Sequence, residues 1–436
     1  MKKSGKSDEI YMRRTKQHNI YIYIYRVAVA LLPVVAAACG ALLLLAAAFI
    51  PSSMIEENVL RSAEELNQPA TPLLGNDRMA YIVDYNTDAL IIMESYTLNS
   101  DDLQSVFSNP MRYDGEDTQR GSLMELCEGE SANVNYVRYW MGFRIFIKPL
   151  LAMFSYEGIC WLISLAFFAL AFAAAALTAG RIGTRAALCL GGAVCLINPA
   201  IAAHSPQHAC CFLLSFIFCL YILGRNGRGR YCAAAFCAFG ALTQYFDFYT
   251  APLVTLGFPM LLLLETERQP ERSLRQTLGC CGAWLYGYAA MWLCKLALTG
   301  IFTDINGLED GFSSLSGRLG VKVVEGFEEY YSAARALKSV WGTAFPGSLT
   351  IPAALLLAAA VVISGLVYLL RGSRAERGLA ASELIVMLLP LVWYAVAAQP
   401  SCIHAWFQYR SLAVLFFGAF LFISRAAVIL KREKAK

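Results

Sequence analysis

The stretch Val27–Ile50, VAVALLPVVAAACGALLLLAAAFI, decides the fold. It carries no charged residue, and as an α-helix it would be about 36 Å long, enough to cross a hydrocarbon core about 30 Å thick. The whole chain of 436 residues is 58% hydrophobic, with a mean hydropathy of +0.51. These values exclude an ordinary soluble enzyme and predict a polytopic membrane protein.

Basic residues precede this first span and set its orientation. They are Lys2, Lys3, Lys6, Arg13, Arg14 and Lys16, with Arg26 at the edge of the span. Positive residues favour the cytoplasmic side, and no small-residue cleavage site clearly follows the apolar run. We therefore expect a retained anchor with a cytoplasmic N-terminus, in a bacterial plasma membrane.

Nine further apolar segments follow, which predicts about ten transmembrane helices in an all-α protein. The ten segments are 27–50, 157–179, 186–203, 206–223, 231–246, 250–264, 277–301, 348–370, 384–398 and 411–430. The connections at 180–185, 224–230, 265–276 and 371–383 are short and rich in arginine, and they all fall on one side. The positive-inside rule places both termini on that side, in the cytoplasm. The predicted organisation is a basic tail, 1–26, one transmembrane domain, 27–430, and a second tail, 431–436.

Two long connections, 51–156 and 302–347, are predicted to face outward. Long connections between membrane helices usually carry function. Met54–Leu66 and Val321–Tyr331 have apolar residues at helical spacing and are expected to form amphipathic helices. The aromatic run 136–154 is expected to be an interfacial or re-entrant helix, because a full span there would reverse the side of every later arginine-rich loop.

Asp84 and Asp88 in the first connection are the candidate catalytic residues. A carboxylate in a partly dry cleft is a plausible general base for removing a proton from an acceptor hydroxyl. We expect Asp88 to be this base, and Asp84, its partner, to orient it or to hold a divalent cation through oxygen ligands. The alternative is structural, since Asp84 or Thr87 can cap the helix that Asp88 begins.

Cations near the predicted outer surface are candidate phosphate contacts. Arg138 and Lys148 flank an aromatic run that includes Tyr139, Lys295 lies inside a span, and Arg410 opens the last span. Arginine suits bidentate contact with a phosphate. Snorkelling to lipid headgroups is the ordinary alternative for such residues.

Asp247 and His404 complete the candidate substrate-binding set. Asp247 lies in a turn flanked by aromatics, where it is a hydrogen-bond acceptor for substrate or a helix cap. His404 begins the run HAWFQYR, which joins a titratable ring to aromatic residues and Arg410. No Cys or His spacing indicates zinc or an iron–sulfur cluster. The sequence leaves open whether a divalent cation, Mg²⁺ or Mn²⁺, is required.

The layout resembles the GT-C superfamily of membrane glycosyltransferases. The resemblance rests on the cytoplasmic start, one span before a long outer loop with Asp84 and Asp88, the step Lys148-Pro-Leu-Leu151, many short-looped helices and a late outer segment. The runs Tyr139–Phe143, Leu242–Pro252 and His404–Arg410 are similar to runs in largely uncharacterised bacterial GT-C-like proteins. The step His-Pro-Pro-Leu and a strict Asp-x-Asp, common in relatives, are absent.

The resemblance implies sugar transfer from a polyprenyl-phosphate or diphosphate donor to a hydroxyl of a glycan or lipid acceptor, in cell-envelope assembly. An outer-loop carboxylate would activate the acceptor, and basic residues would stabilise the departing lipid phosphate. Membrane lipids are expected partners and nucleic acid is not. The rival hypotheses are a transporter or flippase, a polymerase or ligase of lipid-linked glycans that relies on 302–347, and a non-catalytic relative.

Overall fold

The computed structural model describes residues 4–69, 78–113, 118–225, 232–247, 249–266, 273–321, 323 and 328–434. The chain is about 81% helical. A two-stranded antiparallel sheet pairs β1, Pro110–Met111, with β2, Val134–Asn135. The prediction of an all-α membrane protein is consistent with this composition.

Twenty α-helices lie in the described residues. They are α1 Ser4–Ala48, α2 Ser52–Asn67, α3 Tyr85–Tyr96, α4 Ser105–Ser108, α5 Gln119–Cys127, α6 Arg144–Leu151, α7 Tyr156–Arg181, α8 Thr184–Cys195, α9 Pro199–Ala203, α10 Pro206–Gly224, α11 Cys232–Phe246, α12 Val254–Thr266, α13 Ser273–Phe302, α14 Gly307–Arg318, α15 Ala333–Ala344, α16 Thr350–Arg371, α17 Arg374–Val396, α18 Ala398–Ile403, α19 Ala405–Gln408 and α20 Leu412–Lys434. Short 3₁₀ turns occur at Met79–Tyr81, Glu328–Tyr331, Gly347–Leu349 and Tyr409–Ser411.

Seven helical stretches in the described chain are long and apolar enough to cross a membrane. They are Ile22–Ala48, Tyr156–Arg181, Pro206–Gly224, Ser273–Phe302, Gly347–Arg371, Arg374–Val396 and Ala405–Arg432. The other three predicted spans correspond to shorter apolar helices, α8, α11 and α12. At about 1.5 Å per residue these reach only about 18–23 Å, less than the hydrocarbon thickness. The multi-pass prediction therefore stands, and the count of ten spans is not confirmed.

The sequence Asn198-Pro199 explains why α8, the shortest of these three helices, does not continue into α9. The predicted span 186–203 divides into α8 and α9, and Asn198 between them has a left-handed φ of 58°. Proline disfavours helical backbone in the residue before it and lacks the N–H that would continue the helix. The hydropathy pattern continues through this break, because apolar side chains lie on both sides of it.

Close contact between α11 and α13 ties the short helix α11 into the bundle. A Cβ placed on Gly240 would lie 2.0 Å from the carbonyl oxygen of Trp284, and one on Gly287 would lie 2.0 Å from that of Cys237. Only glycine allows two helices to approach so closely, a common packing device in membranes.

The connection 51–156 has its own apolar core. Helix α2 buries Ile55, Val59, Ala63 and Leu66, as the amphipathic pattern of 54–66 predicts, and packs against α3, α5 and α6. The predicted interfacial helix within 136–154 is the eight-residue α6. The predicted helix at 321–331 falls largely outside the described residues, and Glu328–Tyr331 is a 3₁₀ turn.

Buried cations attach an irregular stretch, residues 98–109, to the bundle. Arg144 is 0% exposed and donates to the carbonyls of Ser105, at 3.3 Å, and Val106, at 3.0 Å. Lys148 donates to the carbonyl of Leu98, and Lys295 donates to that of Phe107. The one-turn helix α4, Ser105–Ser108, leaves its carbonyls without partners inside the helix, and an unpaired buried carbonyl is unfavourable.

An ion-pair network joins four helices towards the C-terminal end of α20. Arg425 contacts Glu265 at 2.5 Å and Glu383 at 3.0 Å, and Arg185 contacts Glu265 at 3.2 Å. The Glu383 side chain is fully buried and the Glu265 side chain is 5% exposed. The stability of charged side chains buried this deeply depends on the opposite charges beside them.

Replacing Arg425 with methionine is expected to lower the free energy of unfolding by about 3–5 kcal/mol, because the buried Glu383 loses its partner and Glu265 keeps only Arg185. The measurement is the thermal unfolding midpoint of the detergent-solubilised protein. Arg432→Met is the matched control, since the Arg432–Glu376 pair is largely exposed and surface pairs contribute about 0–1 kcal/mol. Equal midpoints for the two variants would show that the network contributes little stability.

Candidate functional site

A cavity of about 440 Å³ lies where the two long connections meet the ends of the helices, and we call it the loop-face cavity. Its walls come from the start of α3, from 136–139, from Tyr249, from the end of α14 and from residues 400–407. The lining residues are Met79, Asp84, Asn86, Thr87, Leu90, Gln119, Tyr136, Tyr139, Gln207, Tyr249, Arg318, Pro400, His404, Trp406 and Phe407. An apolar pocket with a few converging polar groups is typical of a ligand site.

Asp84 provides the carboxylate in the wall of this cavity. It is the N-cap of α3, where its Oδ1 accepts from the Thr87 N–H at 3.3 Å and its Oδ2 accepts from the Thr87 hydroxyl at 2.7 Å. The indole N–H of Trp406 also donates to Oδ2, at 3.4 Å. A carboxylate has about four acceptor positions, so three donors orient the group and leave capacity for a ligand hydroxyl.

Asp88 lies one turn further along α3, behind the cavity. It is 0% exposed and accepts from the Tyr156 hydroxyl at 2.7 Å, the Ser205 hydroxyl at 3.0 Å and the Gln207 N–H at 3.4 Å. Burial raises the pKa of Asp88 from 3.8 to about 7, despite these hydrogen bonds, which act in the opposite direction. Asp88 thus joins α3 to the first turns of α7 and α10. Its hydrogen bond from the Gln207 N–H fixes the backbone at Gln207, whose side chain lines the cavity.

Arg318 provides the cation in the cavity, and sequence reasoning missed it. Its guanidinium lies over the ring of Tyr139, 5.3 Å from the centroid, and over that of Tyr249, at 4.9 Å. It also donates to the Tyr139 hydroxyl. A guanidinium held between two aromatic faces keeps its planar set of donors oriented towards a ligand.

The predicted site residue Asp247 stabilises the turn between α11 and α12, before α12 begins at Val254. Its carboxylate accepts from the N–H groups of Tyr249 and Thr250, each at 2.9 Å, and from the Thr250 hydroxyl. Burial raises its pKa. Tyr249 adopts a φ of 78°, a left-handed conformation that favours glycine, and its carbonyl accepts from the Gln408 amide at 2.5 Å. The cavity wall at Tyr249 is therefore held in a strained conformation by its neighbours.

His404 and Arg410 lie on one side of the cavity at different depths. His404 lines the cavity and stacks on Phe407, with ring centroids 5.1 Å apart. Burial lowers the pKa of His404, which favours the neutral ring. Arg410 is 1% exposed and donates to the Trp406 carbonyl at 3.2 Å, while its Nε and Nη2 have no hydrogen-bond partner among the described residues. It lies behind the lining residues.

The remaining predicted contacts lie elsewhere. Lys148 and Lys295 are both buried and donate to the carbonyls of the stretch 98–109, outside the cavity lining. Arg138 stacks on Tyr136, 5.1 Å from its centroid, and donates to the Ser314 hydroxyl at 3.2 Å. It borders the cavity through Tyr136.

The structure thus brings Asp84, Tyr139 and His404 into one cavity and places the other predicted residues behind it or away from it. A local signal for Arg318 was present: it ends a helix and stands two residues before Gly320, whose φ is 72°. Basic residues are common in the last turn of a helix. The place of Arg318 at the end of α14 therefore indicates nothing about a ligand.

The cavity residues do not form a fitting site for a divalent cation. Among the described residues, no group of three or more His, Cys, Asp or Glu side chains could hold a metal ion. Both carboxylate oxygens of Asp88 already accept hydrogen bonds, which leaves Asp84 as the acid in the cavity wall. Mg²⁺ takes six oxygens and usually one or two carboxylates, so no catalytic step is assigned to a metal here.

Comparison with protein family models, with curated proteins and with solved structures finds no match. The GT-C resemblance therefore stays an interpretation of the sequence.

Two buried acids are expected to make the folded protein less stable as the pH rises. Burial raises the pKa of Glu94 to about 8, even with Arg144 and Lys295 nearby, and that of Asp88 to about 7. A raised folded-state pKa stabilises the protein fully below the unfolded pKa, near 4, and this contribution is lost as the pH rises through 7 to 8. The unfolding midpoint should therefore fall from about pH 4 to about pH 8 and change little at higher pH.

The double variant Asp88→Asn with Glu94→Gln should flatten this dependence, because neither amide titrates. Glu130→Gln is a control, since Glu130 is an exposed acid paired with Arg112. A midpoint that keeps its slope in the double variant would show that other groups titrate in this range.

Proposed function

We propose that this protein is a membrane-embedded glycosyltransferase that moves a sugar from a polyprenyl-phosphate or diphosphate donor to an acceptor hydroxyl in cell-envelope glycan assembly. The observation that carries the proposal is the pairing, in one aromatic-walled cavity, of a positioned carboxylate, Asp84, with a positioned guanidinium, Arg318. Sugar transfer from a lipid phosphate needs a base for the acceptor and a cation for the leaving group. The sequence resemblance to GT-C enzymes supports the same reaction class.

In the proposed reaction, the acceptor hydroxyl gives its proton to Asp84 while its oxygen attacks the anomeric carbon of the sugar. The bond between that carbon and the phosphate oxygen breaks, and its electron pair leaves with the lipid phosphate. Arg318 stabilises the charge that develops on the phosphate. Trp406, in the wall of the same cavity, gives the sugar ring a flat aromatic surface.

The roles proposed for the two acids differ because their surroundings differ. Asp84 lines the cavity, so it can reach an acceptor, whereas Asp88 is enclosed by Tyr156, Ser205 and the Gln207 N–H. We therefore assign the base to Asp84 and a positioning role to Asp88, which reverses the roles expected from the sequence. Arg410, behind the cavity wall, adds positive potential near the phosphate without direct contact in this conformation.

Asp84→Asn is expected to lower sugar transfer by about 10²–10⁴-fold, the usual contribution of a general base. Transfer is measured from a panel of radiolabelled polyprenyl-phosphate sugars into membrane glycans, at equal levels of folded protein. Asp88→Asn should retain more activity than Asp84→Asn, and Glu130→Gln should match the wild type. If Asp88→Asn abolishes transfer while Asp84→Asn retains it, the assignment of the base is wrong.

Arg318→Met is expected to lower kcat/KM for the lipid-linked donor by about 10²–10³-fold, the range for losing one group that stabilises developing charge. Arg335→Met is the matched control, because Arg335 belongs to the same connection, 302–347, but stacks on Tyr330 outside the cavity lining. Equal effects of the two substitutions would remove Arg318 from the site.

A polymerase or ligase of lipid-linked glycans is a second candidate. The observation that favours it is the contribution of 302–347 to the cavity through Arg318. The length of the radiolabelled product separates the two, since a transferase adds one sugar and a polymerase or ligase joins preformed glycans. If no donor supports transfer, the remaining hypotheses are a transporter and a non-catalytic relative of the glycosyltransferases.

A further inference from the structure

A second, apolar groove runs between the two membrane-spanning helices α1 and α13. Its volume is about 830 Å³, and its floor includes Val34, Ala38 and Leu45 of α1 and Leu298 of α13. The stretch 101–107 forms its roof, and Phe302 stacks on Phe107 at the end of α13, with ring centroids 5.0 Å apart. Along most of its length this groove presents only carbon atoms.

The dimensions of the groove fit one lipid chain. Val34 and Leu45 are about 16 Å apart along α1, which is about half the thickness of a bilayer's hydrocarbon core. The groove therefore has the depth of one leaflet. Alanine side chains at its floor leave the space between the helices that a larger residue would fill, and Val34 and Leu42 are more than half exposed.

The mouth of the groove is acidic. Asp101 and Asp102 are exposed and line it, and among the described lining residues no Lys or Arg accompanies them. The nearby cations are engaged on the stretch 98–109 itself, where Lys295 and Arg144 donate to the carbonyls of Phe107 and Val106. An anionic headgroup at this mouth would meet two carboxylates without a compensating charge.

We propose that this groove holds one acyl chain of a phospholipid with an ammonium headgroup, of the phosphatidylethanolamine class. The ammonium group lies against Asp101 and Asp102, and the chain descends between α1 and α13. The Gln104 side chain, also at the mouth, provides an amide donor for the lipid phosphate. The inference is independent of the proposed sugar transfer, because it uses neither the loop-face cavity nor its residues.

The site holds this lipid by charge at one end and by shape along the rest. An exposed ion pair contributes up to about fivefold in affinity and weakens with salt. The apolar groove binds any chain of the right length, so the carboxylates provide the preference between headgroups.

The test is native mass spectrometry of the full-length protein, titrated separately with phosphatidylethanolamine, phosphatidylglycerol and a polyprenyl phosphate. We expect the first lipid to bind with the highest affinity. Asp101→Asn with Asp102→Asn should weaken its binding roughly three- to tenfold and remove the preference over phosphatidylglycerol. The Asp102 Oδ1 accepts from the Gln104 N–H at 3.0 Å, and the substitution Asp102→Asn keeps an oxygen for this contact, so the roof is preserved.

Ala38→Trp should abolish binding of all three lipids at this site, because the indole fills the floor of the groove. Leu355→Trp is its control, since Leu355 is an exposed apolar residue on α16 away from the groove. Binding at the groove is the part that Ala38→Trp removes, so a polyprenyl phosphate bound in the loop-face cavity does not count. The proposal is overturned if this part is larger for phosphatidylglycerol or for the polyprenyl phosphate than for phosphatidylethanolamine. It is also overturned if the headgroup preference survives in the double Asp variant, a result that does not depend on the folding of Ala38→Trp.

Discussion

The carbonyl groups of residues 98–109 impose the constraint on which much of this structure depends. Leu98 and residues 105–109 of this stretch are buried against the bundle, so their carbonyls need donors that water does not supply. Arg144, Lys148 and Lys295 provide them from α6 and α13. The cations thereby fix the connection 51–156 to the bundle, and the same stretch roofs the groove beside α1. Lys148 and Lys295, which the sequence suggested as phosphate contacts, instead donate hydrogen bonds to backbone carbonyls.

The loop-face cavity shows how one set of hydrogen bonds can serve both folding and chemistry. Asp84 caps α3, and that contact with Thr87 fixes the carboxylate in the cavity wall. In the sequence, capping and catalysis were competing explanations for this residue. In the fold they are compatible, because a cap leaves part of the carboxylate's acceptor capacity unused. Asp88, four residues later, accepts hydrogen bonds from two other helices and the residue that precedes one of them.

Sequence patterns predicted the ten apolar segments and the amphipathic helix α2, and the first connection that they selected lines the cavity through Asp84 and Tyr139. Hydropathy could not show that three of these segments are short, because a break such as Asn198-Pro199 interrupts the hydrogen bonds and not the apolar pattern. Three predicted residues, Asp84, Tyr139 and His404, meet in the cavity. Arg318 was not predicted, because its position in the cavity depends on its contact with Tyr139. The two residues are 179 positions apart, and no local sequence pattern indicates such a contact.

The left-handed backbone at Tyr249 places stability and cavity shape in opposition. A non-glycine residue in this conformation costs on the order of 1 kcal/mol or more, and glycine would remove most of that strain. Glycine would also delete the ring on which Arg318 lies. A directed-evolution library screened only for heat resistance should therefore drift towards glycine at this position and lose the cavity wall in the process. Screening such a library for ligand retention as well would keep the tyrosine.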